Sequence, residues 1–227
     1  MVSAGRIEGV VDLSVVLDDG TQVYPGDPEP RLSVATRIES EGFNLLRVEI
    51  GSQSGTHVDS PYHFKTDGLR LEQCDLGLFV GPGVVIEARG KGPRERITMA
   101  DVAPHEQRLR NGAIALLHTG WSDAHYGTST YFDHPFLDGN TCEQMLSWGV
   151  LTFAIDCINL DETILDGGEP DFSCHVQIAA AGGIIAENLR NLAAIDFDDP
   201  VISLLPLRLG GDADGAPCRA VALRLAT

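Results

Sequence analysis

The sequence predicts an α/β chain of the mixed α+β kind, one domain spanning residues 1–227 with a mixed sheet and segregated helices. Three observations lead there. Short runs rich in Val, Ile and Leu recur between turn signals, helical signals are few, and the two kinds do not alternate strictly as in a doubly wound sheet. A chain of 227 residues is also long enough to bury a large core without dividing.

In chain order, the strand-like runs are GVVDLSVVL at 9–17, RLSVATRI at 31–38, LLRVEIG at 45–51 and VVIEA at 84–88. They continue with AIALLHT at 113–119, TFAID at 152–156, VISLL at 201–205 and RAVALRL at 219–225. The first helix is announced by the capping pattern from Thr98 to Asp101, which leads into 102–110. A second covers 141–148 and is closed by Gly149. A third covers 173–181, stops at Gly182 and Gly183, and places His175 in its first turn. The glycine-rich stretches at 81–83, 90–93 and 210–211 read as loops within the domain.

Composition narrows the function. Apolar residues make up 43% and charged residues 22%, an ordinary globular balance. Acidic residues outnumber basic ones 33 to 16, and the net charge of −17 repels phosphate backbones and anionic lipid, so nucleic acid is not an expected partner. The five cysteines form no CxxC or paired spacing, which fits a reducing cytoplasm better than a disulfide framework. The first twenty residues carry Asp12 within their apolar stretch and do not read as a signal peptide, and no apolar run approaches a membrane span. No GxGxxG or Walker loop occurs in its required context, and Cys174 beside His175 makes a poor nucleophile pair because neighbouring side chains diverge.

One segment stands out, QSGTHVDSPYH at 53–63. Gln53, His57, Asp59 and His63 all fall at odd positions, so in an extended chain they project to one side. Gly55 and Pro61 argue against the helix that would also pair 53 with 57 and 59 with 63. At about 3.3 Å rise per residue, His57 and Asp59 lie roughly 6.6 Å apart at Cα, a spacing from which two side chains converge on one ion. Imidazole and carboxylate suit zinc, manganese or iron. Spacing alone leaves a second reading open, in which Asp59 and Ser60 form a turn ahead of Pro61 and both histidines are ordinary satisfied side chains.

The segment resembles the signature HxGTHxDxPxH of the cyclase superfamily, the group that includes bacterial kynurenine formamidase and isatin hydrolase. The likeness continues in Tyr24 to Asp27 (YPGD), in LHTGW at 117–121, in His134 and Pro135, and in His175 followed by Glu187 twelve residues later. It implies a swivelling β/β/α domain, with His57, Asp59, His175 and Glu187 as metal ligands and His63 as general acid/base. It also implies Tyr24 and Trp121 at the substrate, and a homodimer or homotetramer whose active site lies near a subunit interface. The implied cofactor is a divalent ion, zinc or manganese, one or two per chain. The implied chemistry is attack of metal-activated water on an amide, lactam, lactone or ester of a small aromatic or cyclic carbonyl compound. A cyclase or lyase without net hydrolysis, and a binding protein without turnover, are the alternatives.

The sequence departs from that pattern at two positions. Gln53 stands where the formamidases have their first His ligand, and an amide oxygen is a neutral and weaker ligand than imidazole. Asp59 and Glu187 together supply two negative charges, which one divalent ion balances, so the expectation is a single ion, or one tight and one weak. Tyr24 stands where formamidases commonly carry Trp, which weakens N-formylkynurenine as the expected substrate while keeping a flat face and adding a phenol.

Overall fold

A computed structural model of the chain describes residues 5–110 and 112–226. Thirteen strands are present among them. In order they are β1 (Ile7–Asp12), β2 (Arg31–Thr36), β3 (Leu45–Glu49), β4 (His57–Asp59), β5 (Val80–Glu87), β6 (Arg96–Ile97) and β7 (Ile114–His118). They continue with β8 (Phe136–Leu137), β9 (Thr152–Ile155), β10 (Ile184–Glu187), β11 (Val201–Ser203), β12 (Gly215–Pro217) and β13 (Val221–Leu225). Nine of them form one sheet in the order β1-β13-β11-β5-β7-β9-β10-β4-β12. The centre, β5-β7-β9-β10, is parallel, and both flanks are antiparallel, so the expected mixed sheet is what forms.

The parallel centre is buried on both faces, as parallel strands require. On one face Ala115, Leu117, Phe153 and Ile155 pack against Leu109, Trp121, Cys142, Met145, Cys174 and Ile178 from the helical segments. On the other, Ile114, Leu116, Ala154, Ile184 and Ala186 pack with Val58, Ile202, Ala216 and Ala222. Residues from both flanks of the sheet thus share one cluster, which is the signature of a sheet curled on itself.

Most expected elements form, with shifted bounds. The run at 9–17 ends as a strand at Asp12, after which Ser14 makes only a single bridge to Leu189. The helix expected through 102–110 is divided into Met99–Val102 and Glu106–Leu109 by a 3₁₀ turn at Ala103–His105, because Pro104 interrupts the α-helical hydrogen-bond ladder. The helix expected at 141–148 begins two residues earlier, at Gly139, because Asp138 accepts the backbone N–H groups of Asn140 and Thr141. Ser173–Ala180 matches its expectation and carries His175 in its first turn. Gly81 to Gly83, expected as a loop, is instead the start of β5. Gly83 belongs in that strand because Ile202 of β11 crosses directly over it, and a side chain there would collide with Ile202.

The pair β2–β3 stands apart as a two-stranded hairpin. Every residue of β3 is exposed. Among the described residues no helix is long and apolar enough to cross a membrane.

Candidate active site

Strand β4 explains why two residues of the motif share a face. It lies between β10 and β12, with His57 opposite Glu187 on one side and Pro217 on the other. Alternation sends His57 and Asp59 to one face and sends Val58 into the apolar cluster behind. Glu187, directly across from His57, joins the same face. The extended geometry covers only 57–59. Gln53 sits in the preceding turn, where Gly55 takes φ 65° in the left-handed region, and His63 arrives through a 3₁₀ turn at Pro61–His63. All four odd-numbered residues nevertheless line one cavity of about 220 Å³, but turns bring two of them there where alternation was expected to.

Four groups converge within it. His57 Nε2 lies 3.6 Å from Asp59 Oδ1 and 3.6 Å from Glu187 Oε2. His175 Nε2 lies 3.7 Å from Asp59 Oδ2 and 3.4 Å from Glu187 Oε1. Each imidazole therefore faces one oxygen of each carboxylate. The opposite nitrogens are occupied: His57 Nδ1 is 2.9 Å from the Gly55 carbonyl, and His175 Nδ1 is 2.7 Å from Asp161 Oδ2. An Nδ1–H donating outward leaves Nε2 as a lone pair pointing inward, which is the tautomer of a metal-ligating histidine.

These residues fit a divalent ion on their own chemistry. Asp59 is 3% exposed, and among the described residues neither of its oxygens accepts a hydrogen bond. A buried carboxylate without donors costs several kcal/mol unless a cation compensates it. The separations of 3.4–3.7 Å are longer than well-formed hydrogen bonds and suit neighbouring ligand atoms that each stand at roughly 2.1 Å from an ion. Among the described residues His57, Asp59 and Glu187 form a group whose ligand atoms all lie within 4.8 Å of one another, and His175 stands beside it, 3.7 Å from Asp59 and 3.4 Å from Glu187.

Asp161 and Asp214 complete the site and were invisible in the sequence. Asp161 accepts the N–H groups of Cys174 and His175 as well as the His175 ring, so one carboxylate caps the helix Ser173–Ala180 and fixes the histidine it carries. Asp214 Oδ2 lies 2.9 Å from His63 Nδ1 and accepts from Gln53 Nε2 at 3.1 Å. Both lie far from their partners in sequence, where no spacing rule reaches. Burial presses Asp214 toward its neutral form, but hydrogen bonds from His63, Ser52 and Gln53 outweigh this and hold it below the ordinary carboxylate range. Burial likewise disfavours the charged form of His63, and the bond to Asp214 with the nearby charge of Asp59 lifts its pKa above the usual histidine value.

The remaining wall is aromatic and mixed. Phe64 and Phe172 lie 5.0 Å apart between ring centroids, and Phe64 packs 4.7 Å from the His175 ring. Tyr24 lines the cavity, together with Asp27, Asn159 and Asn188. Trp121 does not. It is 6% exposed in the helix-side core and donates its indole N–H to the Tyr131 carbonyl, so the expected substrate contact is replaced by packing.

Comparison with known proteins adds to this geometry. The family model described as "Putative cyclase" matches residues 11–162. The kynurenine formamidase of Geobacillus thermodenitrificans is 28% identical over 212 residues, covering 92% of this chain and 95% of its own. That of Bacillus mycoides is 29% identical over 219 residues, covering 93% and 95%. An isatin hydrolase bound to the product analogue thioisatinate shares the fold with a TM-score of 0.82 at 23% identity, over 96% of this chain and 92% of that one. Isatin hydrolase A from Ralstonia solanacearum does so with 0.83 at 23% identity, over 95% and 91%.

Proposed function

This chain belongs to the cyclase family and is a metal-dependent hydrolase acting on a C–N bond, and on that premise we propose that it opens a small amide or lactam whose carbonyl is borne by an aromatic or cyclic body, with lactones and esters as the related C–O substrates. The observation that carries the reading is the donorless, buried Asp59 carboxylate ringed by His57, His175 and Glu187 at the floor of a cavity that His63 also lines.

His57, Asp59, Glu187 and His175 would hold the ion. A divalent ion bound there supplies the acidification of water and the electrophilic pull on the scissile carbonyl. His63, with Nδ1 engaged by Asp214, keeps Nε2 as the group that takes a proton from the attacking water and returns it to the leaving nitrogen. Phe64 and Phe172 present flat apolar surface to the substrate body and exclude bulk water. Tyr24 offers a ring face and a phenol at the rim. Zinc or manganese suits this donor set, one ion held tightly and a second weakly, since two carboxylates balance one divalent charge and Gln53 supplies no imidazole.

The enzyme works as a homodimer or homotetramer with its active site close to a subunit interface. Hairpin β2–β3 supports this. Val34, Leu45, Leu46 and Val48 on it are each about half exposed, and a lone hairpin with such surface is not stable uncovered. The chain enters the hairpin just after Tyr24 and Asp27 and leaves it just before Gln53, so the arm is rooted at the cavity rim. Light scattering in solution reads the assembly directly. The five free thiols fit a reducing cytoplasm.

The test is a screen of formamides, cyclic imides, lactams and lactones against protein loaded with manganese or zinc. The reading expects a ring-opened or deformylated product that disappears on chelation. A fully metal-loaded protein that turns over none of these classes would overturn it.

A further inference from the structure

The arrangement around His63 has a part that the motif does not contain. Asp214 precedes β12, the edge strand that pairs with β4, and its backbone carbonyl accepts both the N–H and the hydroxyl of Ser60. That anchoring sets Asp214 beside the 3₁₀ turn carrying His63. The same carboxylate oxygen receives His63 Nδ1 at 2.9 Å and the Gln53 amide nitrogen at 3.1 Å. A carboxylate only accepts, so its position decides two orientations at once: the His63 ring must carry its proton on Nδ1, and the Gln53 amide must turn its oxygen away from Asp214. That oxygen is buried and has no partner among the described residues. Gly215, next along, makes the approach possible, since a Cβ there would stand 2.6 Å from the Val58 carbonyl and 2.7 Å from the Gln53 amide nitrogen.

We infer that Asp214 is the positioning residue of this active site: it fixes the His63 tautomer that leaves Nε2 free as proton acceptor, and through the Gln53 amide nitrogen it aims the Gln53 carbonyl oxygen. The inference rests on the hydrolytic reading for its catalytic consequence and on hydrogen-bond geometry alone for the tautomer. It assigns Gln53 a fixed orientation that an imidazole at position 53 need not share. Asp214 itself touches neither substrate nor ion; it acts through His63.

The experiment has two arms. Nitrogen-15 NMR of the metal-free protein reads the His63 ring directly. Wild type shows the Nδ1–H tautomer, and Asp214→Ala shifts the population toward Nε2–H; an Nε2–H ring in wild type, or an unchanged ring in the variant, overturns the inference. In the second arm, Asp214→Asn lowers kcat by about 10- to 1000-fold, within the range a positioned acid/base contributes. KM and the affinity for the tightly held manganese by calorimetry stay within about threefold, because His57, Asp59, His175 and Glu187 are untouched. Asp214→Glu recovers part of the rate. In a His63→Ala background Asp214→Asn costs nothing further, since a residue acting through His63 has nothing left to act on. Multiplying losses, or a loss of metal affinity as large as the loss of kcat, assigns Asp214 a merely structural role and overturns the inference. Absence of turnover in every form would sink the hydrolytic reading, and the ring tautomer would still decide the role of Asp214.

Discussion

Asp161 Oδ2 stands 2.7 Å from His175 Nδ1, and the same carboxylate accepts the backbone N–H of His175 at 3.0 Å. A single side chain thus ties down both the ring and the helix turn that carries it, and the ring's other nitrogen is left pointing at Asp59 and Glu187. Carboxylates in this role contribute roughly 10–100-fold to metal affinity. Asp161→Asn is expected to weaken manganese or zinc binding by about that factor, read by calorimetry with the metal alone. An affinity equal to wild type would show that His175 needs no such support or is no ligand.

His63 separates from the metal in the opposite way. His63→Gln should retain the ion and lose about 10²–10⁴-fold in kcat, the usual contribution of a general acid/base. Metal content and steady-state rates on the same preparation check both halves. A variant that turns over at the wild-type rate removes His63 from the mechanism.

At position 53, Gln53→His restores the residue type of the family signature. The expected outcome is a rise from one tightly held equivalent toward two, measured by elemental analysis after dialysis. Two tight equivalents in the unaltered protein would refute the one-tight, one-weak arrangement.

A fourth prediction concerns pH. His134 is buried, with Nδ1 against the Pro135 carbonyl and Nε2 against the Thr163 hydroxyl, and burial lowers its pKa from 6.5 to about 4. Its folded value is depressed, so between those two pH values the unfolded chain binds the extra proton and the folded one does not. The stability linked to neutral His134 is therefore complete above pH 6.5 and is lost as the pH falls toward 4, by about 3 kcal/mol at most. Urea unfolding of wild type and His134→Gln at pH 7 and pH 5 checks the sign. If the wild type lost no more stability than the variant on acidification, the buried neutral ring would not be its cause.

The sequence was most legible where chemistry and local period coincide. His57 and Asp59 share a face because alternation governs the three residues of β4, and the apolar runs at 113–119 and 152–156 announced the central strands because those are buried on both sides. It was least legible where partners are distant. Asp161 and Asp214 look like ordinary acidic loop residues until the sheet brings β12 beside β4 and the helix Ser173–Ala180 down onto Asp161. Gly81 to Gly83 read as a loop because two glycines and a proline usually break strands; the crowding of Ile202 against Gly83 reverses that. Trp121 ends the motif-like LHTGW segment, yet its indole bonds to Tyr131 in the core, because likeness of sequence carries no information about which way a side chain faces.

The most direct test of the account is the product formed in water labelled with heavy oxygen, using a substrate from the carbonyl screen. Metal-loaded protein should give, from a cyclic substrate, a product heavier by one water that contains one heavy oxygen atom, or, from a formamide or open ester, an amine or alcohol together with an acid whose carboxyl carries that oxygen, and no product after chelation. A product with the mass of the substrate, or of the substrate less one water, would place the chain among catalysts of ring closure or dehydration; undiminished turnover after complete removal of the metal would contradict the ion's role.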